Sequence, residues 1–215
     1  MQLPKTDNTC RFPSPLRIAI GKGRGFAESV SLMEMPDTPA FKSFMNGDVP
    51  VFHDTTCSLT VVTVRSRDLC WMLEQGHIDV AIGSSIWFRE YGLSSLSCLQ
   101  PLPMQQCRLS LIAPSVILPQ HIHTICTKFT SVAQRYIAAH NMNARIIPME
   151  GTHETALYLH IADAIIDVIE TGRTIRRMGF CELDTITTLQ HEIWTRKTDM
   201  AAQELFMSHL KQPVC

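Results

Sequence analysis

The chain has 215 residues, of which 45% are hydrophobic and 18% charged, with a formal net charge of −1. That balance excludes a disordered polypeptide and argues against a polyanion-binding surface of the nucleic-acid kind. No apolar run approaches a membrane span, the opening MQLPKTDNTCRFPSP lacks a signal peptide's apolar core, and eight cysteines form no Cys-x-x-Cys pair, so a cytoplasmic chain with reduced thiols is expected.

Residues 1–15 carry three prolines and no periodicity, and read as a flexible arm. Residues 16–20 form a short strand ending in Gly21-Lys22-Gly23-Arg24-Gly25, followed by a helix over 26–35. Pro36 and Pro39 end that helix, and the polar segment to Pro50 reads as loop. A strong strand spans 59–64. Ser66 or Asp68 can cap the next helix, which carries Leu69, Met72 and Leu73 inward and stops at Gly76. A strand over 78–82 leads into a helix ending at Tyr91.

A second unit begins near Cys107, with strands over 108–113 and 123–127, an amphipathic helix over 131–140 and a strand over 144–148. Gly151-Thr152-His153-Glu154 is a turn opening a helix to His160, with His153 read as a loop residue. The acidic strand described below follows, then a strand over 187–195 and a helix over 201–210. Strands alternating with helices predict an α/β protein with a mainly parallel sheet in each half.

The most informative stretch is Ile165-Ile166-Asp167-Val168-Ile169-Glu170-Thr171-Gly172-Arg173-Thr174. A buried strand ends in two carboxylates and a Thr-Gly-Arg-Thr turn, where ligands bind in open α/β sheets. Backbone N–H groups, two hydroxyls and the start of a helix carrying Arg176 and Arg177 suit one small anion, and Gly172 lets the backbone approach it closely. Asp167 and Glu170 are acceptors suited to vicinal hydroxyls, so the pattern points to a ribose 5-phosphate site. The first glycine-rich loop is not a Walker A sequence. Lys22 and Arg24 on it make a pyrophosphate clamp, with Arg24 the better candidate because a guanidinium matches phosphate oxygens bidentately.

Taken in order, RIAIGKGR (17–24), VRSRDLCWMLEQGHIDVAI (64–82), CRL (107–109), TKF (127–129), GTHETA (151–156) and ADAIIDVIETGRT (162–174) resemble the ATP phosphoribosyltransferase family. The resemblance implies a two-domain fold like the type II periplasmic binding proteins, with a ligand cleft between the domains. Domain I would hold 16–103 with 183–215, and domain II 104–182. It implies the short form of the enzyme, a homo-oligomer (dimer) with a regulatory partner resembling histidyl-tRNA synthetase, since the chain ends soon after the 187–195 strand. The implied reaction joins N1 of ATP to C1 of phosphoribosyl pyrophosphate, releasing pyrophosphate, as the first step of histidine biosynthesis. Magnesium is required, and no metal ligand is assigned.

By the same resemblance Thr171, Gly172, Arg173 and Thr174 hold the 5-phosphate, Asp167 and Glu170 face the ribose hydroxyls, and Glu154 lies near the sugar or the magnesium. Lys22, Gly23 and Arg24 take the pyrophosphate, with Arg24 catalytic through stabilising the leaving group. Two departures bear on the acceptor: Asp48 stands where relatives carry a second pyrophosphate-binding arginine, and Ser84-Ser85-Ile86 stands where they carry Gly-Lys-Asp. A transferase acting on another nitrogen heterocycle, or a non-catalytic binding or regulatory homologue, are the alternatives these departures leave open.

Overall fold

The computed structural model describes residues 15–210 except 24, 34, 55–57 and 105–106. The expected arm, apart from Pro15, therefore lies outside the described residues. In chain order the strands are β1 (Leu16–Gly21), β2 (Val51–Asp54), β3 (Leu59–Val64), β4 (Val80–Ser84), β5 (Leu96–Pro101), β6 (Cys107–Ala113), β7 (Thr124–Thr127), β8 (Arg145–Pro148), β9 (Ala164–Ile169), β10 (Cys181–Leu189) and β11 (His191–Arg196). The helices are α1 (Phe26–Ser31), α2 (Pro39–Asn46), α3 (Leu69–Glu74), α4 (Ser85–Tyr91), α5 (Thr130–Ala139), α6 (His153–Tyr158), α7 (Arg173–Arg177) and α8 (Met200–Ser208).

Two compact units result. Among the described residues, the first contains those from Pro15 to Gly83, then Ser94–Leu102 and those from Glu192 to Leu210; the second contains Ser84–Leu93 and Pro103–His191. The boundaries expected from sequence shift accordingly. Residues 183–191 join the second unit because β10 pairs along its length with β6, and 84–93 join it because α4 docks there.

The sheet of the first unit has the order β2-β3-β1-β4-β11-β5. β1 lies parallel to both β3 and β4, whereas β2 and β5 pair antiparallel with β3 and β11. Ile18, Ala19, Ile20, Val61, Val80 and Ile82 are buried, the near-continuous apolar pattern of strands covered on both faces. Gly83 admits the packing of α3 against the sheet, since a Cβ there would stand 2.5 Å from Leu69 Cδ1. Arg196 staples the far end of α3. Its Nη1 donates to the carbonyls of Leu73 and Ile78 at 2.7 and 2.6 Å, and its Nη2 reaches Asp199 at 2.6 Å and Asp79 at 3.1 Å. Burial pushes the Asp79 carboxyl upward, but hydrogen bonds and charge from Arg17 and Arg196 prevail and hold it below the usual range.

The segment read as loop up to Pro50 contains a helix, α2. Thr38 accepts the Phe41 N–H at 3.2 Å, Pro39 occupies the first turn, and Gly47 closes the helix in the left-handed region. Proline breaks a helix in its interior but suits its first position, and that asymmetry was the available signal.

The sheet of the second unit runs β10-β6-β9-β7-β8. Only β7 with β8 and β7 with β9 are parallel; β6 pairs antiparallel with both β9 and β10. The expectation of a mainly parallel sheet thus fails for half of these pairings, because β6 and β10 continue segments shared with the other unit without a crossover helix. The pleat divides the isoleucine run between two cores. Ile166 packs with Leu109, Leu111, Ile125, Phe129 and Tyr136, while Ile165 and Ile169 pack with Ala156, Leu157 and Ile175. Full burial of such a side chain is worth about 1.5–3 kcal/mol. The same alternation places Asp167 on the α6 and α7 face.

Helix α4 is held by its own acid. The Glu90 carboxylate accepts the Ser131 and Val132 N–H groups at 2.8 and 2.9 Å, capping α5 from outside. That releases Phe129, at the cap position, to be buried against Trp87 with ring centroids 5.2 Å apart.

Candidate functional site

The parallel strands β7, β8 and β9 finish at one edge of the second sheet, where binding loops gather in α/β folds. The chain leaves β9 through Glu170 and Thr171 to Gly172, whose φ of 67° and ψ of 14° are left-handed, and enters α7. A Cβ at Gly172 would lie 3.1 Å from Arg176 Nη1 and 3.6 Å from Arg108 Nη2, so a side chain here would be strained by its φ and would press on the Arg176 guanidinium.

Arginines shape the bend. Arg176 Nη2 donates to Thr171 O at 2.8 Å, its backbone N–H donates to Gly172 O at 3.0 Å, and Arg108 Nη1 points at Glu170 O at 3.5 Å. The Thr171 hydroxyl accepts a long bond, 3.4 Å, from the Arg173 N–H. Helix α7 has only five residues, so positive charge at the bend comes from guanidinium groups rather than from a helix dipole.

Arg108 is clamped in turn. Its Nε and Nη2 donate to the two carboxylate oxygens of Glu182 at 2.5 and 2.6 Å, and Ser110 Oγ donates to the same carboxylate at 2.7 Å. The hydrogen bond from Arg108 is the main cause that draws the Glu182 carboxyl down to about 2, against the upward push of burial and with help from Ser110. This bidentate pair fixes a guanidinium beside the bend.

Asp167, Glu170, Thr171, Gly172, Arg173 and Thr174 therefore occupy one continuous edge. Glu154 is half-buried in the first turn of α6, next to His153. His153 is no loop residue. It is fully buried, with Nδ1 2.8 Å from Asp167 Oδ2 and Nε2 2.8 Å from Met149 O. Arg108 and His153 were missed from sequence because their partners lie 74 and 14 residues away. The register between strands, which brings Ser110 opposite Asp167, was the missing information.

Lys22 and Gly23 lie in the first unit, at the carboxyl end of β1, and are exposed. The Lys22 N–H donates to Val64 O at 2.7 Å, which extends the Gly21–Val64 register and sets Lys22 beside Arg65, another exposed base. Arg24 lies outside the described residues. Lys42 pairs with Asp37 at 2.9 Å, and Asp48 accepts a bond from Ser43 Oγ at 3.1 Å just after α2. Ser85 and Ile86 are buried. The Ser85 N–H donates to Gln190 O, Gln190 N–H donates back to Ser85 Oγ, and Ile86 joins the core of the second unit, so that departure is used for packing. Among the described residues no three His, Cys, Asp or Glu side chains gather as a metal site, and no helix is long and apolar enough to cross a membrane.

Two α/β units, one ending a strand in an acid-Thr-Gly-Arg-Thr bend lined by arginines, define a two-unit α/β class of protein with basic side chains gathered at the carboxyl end of a strand. The sequence profile of the family described as ATP phosphoribosyltransferase (HisG) matches residues 65–212, and the chain belongs to that family. Curated proteins named ATP phosphoribosyltransferase include one from Pseudomonas putida (strain W619), 29% identical over 87% of this chain and 90% of that protein. Another, from Chromohalobacter salexigens, is 26% identical over 86% of each chain. Among solved structures, the ATP phosphoribosyl transferase (HisG:HisZ) complex from Thermotoga maritima superposes with a TM-score of 0.72 at 23% identity, covering 90% of this chain and 93% of that one. The periplasmic aliphatic sulphonate binding protein of Escherichia coli gives 0.56 at 12% identity over 91% and 69%. The fold is of the type II periplasmic-binding-protein kind, as the resemblance implied.

Proposed function

We propose that the chain transfers the phosphoribosyl group of phosphoribosyl pyrophosphate to N1 of ATP, the entry reaction of histidine biosynthesis. The observation that carries this reading is the arginine-shaped Asp167–Thr174 edge, within the span matched by the family. The Thr171-Gly172-Arg173-Thr174 bend holds the 5-phosphate. Asp167 and Glu170 accept hydrogen bonds from the ribose hydroxyls, with Glu154 nearby.

In the reaction the bond from C1 to the pyrophosphate oxygen breaks, and a bond from C1 to N1 of the adenine forms on the opposite face. N1 carries no proton, so no general base is needed, and the barrier falls through electrostatic stabilisation of the departing pyrophosphate. Lys22, the Gly23 backbone and Arg24 are assigned to it. Magnesium, when bound, would supply charge neutralisation of the diphosphate, and no side chain is assigned to hold it. Ser85 and Ile86 are used for packing within the second unit and Asp48 accepts a bond from Ser43, and no observation favours another acceptor or a non-catalytic role.

A homo-oligomer, probed by light scattering, and a HisZ-type regulatory subunit resembling histidyl-tRNA synthetase are the assemblies this reading adds, in a cytoplasmic setting. The deciding experiment mixes the protein, with and without such a subunit, with phosphoribosyl pyrophosphate, magnesium and ATP. Pyrophosphate release that requires ATP supports the assignment; release that requires a different nucleobase, or none across a panel, overturns it.

A further inference from the structure

His153 opens α6 after Thr152, whose φ of 54° and ψ of 43° turn the chain toward the sheet. The ring has no exposed surface, yet both its nitrogens face acceptors. Met149 O can only accept, so Nε2 carries a hydrogen. Asp167 Oδ1 accepts the Val168 N–H at 2.7 Å, which favours the ionised carboxylate, and Oδ2 faces Nδ1 at 2.8 Å. A neutral imidazole would set a lone pair against that carboxylate oxygen. With Asp167 ionised, a ring protonated on both nitrogens is the form that satisfies every polar atom of this buried group.

We propose that His153 is a positioning residue, a buried imidazolium that fixes the Asp167 carboxylate in one rotamer and keeps it ionised to receive a ribose hydroxyl. The proposal rests on the reading of Asp167 given above. Burial alone lowers the pKa of His153, but the hydrogen bond and charge of Asp167, with the Met149 carbonyl, outweigh it and raise the value above the ordinary 6.5. Asp167 is displaced the other way, below 3.8, as His153 overcomes its burial. Two further titratable groups act on the pair, both from the β7 edge. Lys128 opposes the imidazolium and supports the carboxylate, and the Cys126 thiol is kept protonated by burial and by the charge of Asp167. A hydrogen bond between charged partners is worth enough to change an affinity about ten- to a hundredfold.

The test is a double-mutant cycle on KM for phosphoribosyl pyrophosphate, using His153→Val, Asp167→Asn and the pair. His153→Val should raise that KM about tenfold, leave KM for ATP unchanged, and add nothing in the Asp167→Asn background. His153→Asn, which restores a neutral donor near the Nδ1 position, should recover part of the loss. Additive effects, or equal losses toward both substrates, would overturn the proposal. Should His153→Val fail to fold, the ¹⁵N shifts of the wild-type ring at pH 7 decide. A doubly protonated ring supports the pair, and a singly protonated one ends it. Asp167→Asn with full sugar affinity would instead overturn the reading of Asp167 itself.

Discussion

Two glycine bends close strands in this protein, and they are built differently. The bend at Gly172 is surrounded by bases that grip its backbone, so its shape is set before any ligand arrives. The bend at Gly23 has a φ of 110°, and among the described residues no heavy atom other than those of its chain neighbours lies within 4 Å of where its Cβ would stand. Its neighbours Lys22 and Arg65 are exposed charges on the sheet edge. A group that must be bound identically before and after transfer suits a preformed cradle. A leaving group whose charge grows during reaction, and which then departs, suits open cations that add Coulomb energy without enclosing it.

That contrast can be broken most forcefully at Gly172. Gly172→Val puts a branched side chain at a left-handed φ and against Arg176, and should cost phosphoribosyl pyrophosphate at least a hundredfold, about 2.7 kcal/mol, in affinity. Calorimetry showing unchanged binding would remove the bend from the site. Arg24→Ala removes one charge-assisted contact to the leaving group and should lower kcat by roughly one to two decades with the sugar KM preserved. A pre-steady-state burst unchanged from wild type would contradict it.

Arg108→Met should raise KM for phosphoribosyl pyrophosphate about tenfold, because the guanidinium beside the bend is lost. Lys22→Ala and Arg65→Ala should each raise it about threefold, as exposed point charges do, with effects that shrink in salt. Equal responses of Arg108 and Lys22 to salt would erase the distinction between cradle and open edge. The smallest effect is on stability. Because the folded pKa of Glu182 is depressed from 4.5 to about 2, its contribution is present above pH 4.5 and lost as pH falls toward 2. In Arg108→Met the melting temperature should lose that part of its acid dependence, as thermal scans from pH 5 to 2.5 would record.

Much of the local structure from Ile165 to Thr174 was legible in the residues themselves. The run from Ile165 to Thr174 carries its strand, its bend and its acids in contiguous residues, and local chemistry decided all three. The polar networks were not legible. Whether His153 faces solvent or Asp167 depends on which face of β9 meets α6. The use of Arg108 depends on β10 lying beside β6. Helix α2 is hidden in the sequence because a proline such as Pro39 signals a helix stop as readily as a start, and β5 because its residues, LSCLQP, show no clean alternation. The antiparallel pairings were invisible because the alternation of strands and helices says nothing about segments that lack a crossover.

The position of β11 governs the order in which the chain can assemble. It lies between β4 and β5, so β5 has no neighbour in its sheet until residues 191–196 have left the ribosome. Every strand of the other sheet has been synthesised by Leu189. The strands of the second unit can therefore pair before the sheet of the first unit is complete; its slot between β4 and the edge strand β5 stays open until residues 191–196 arrive.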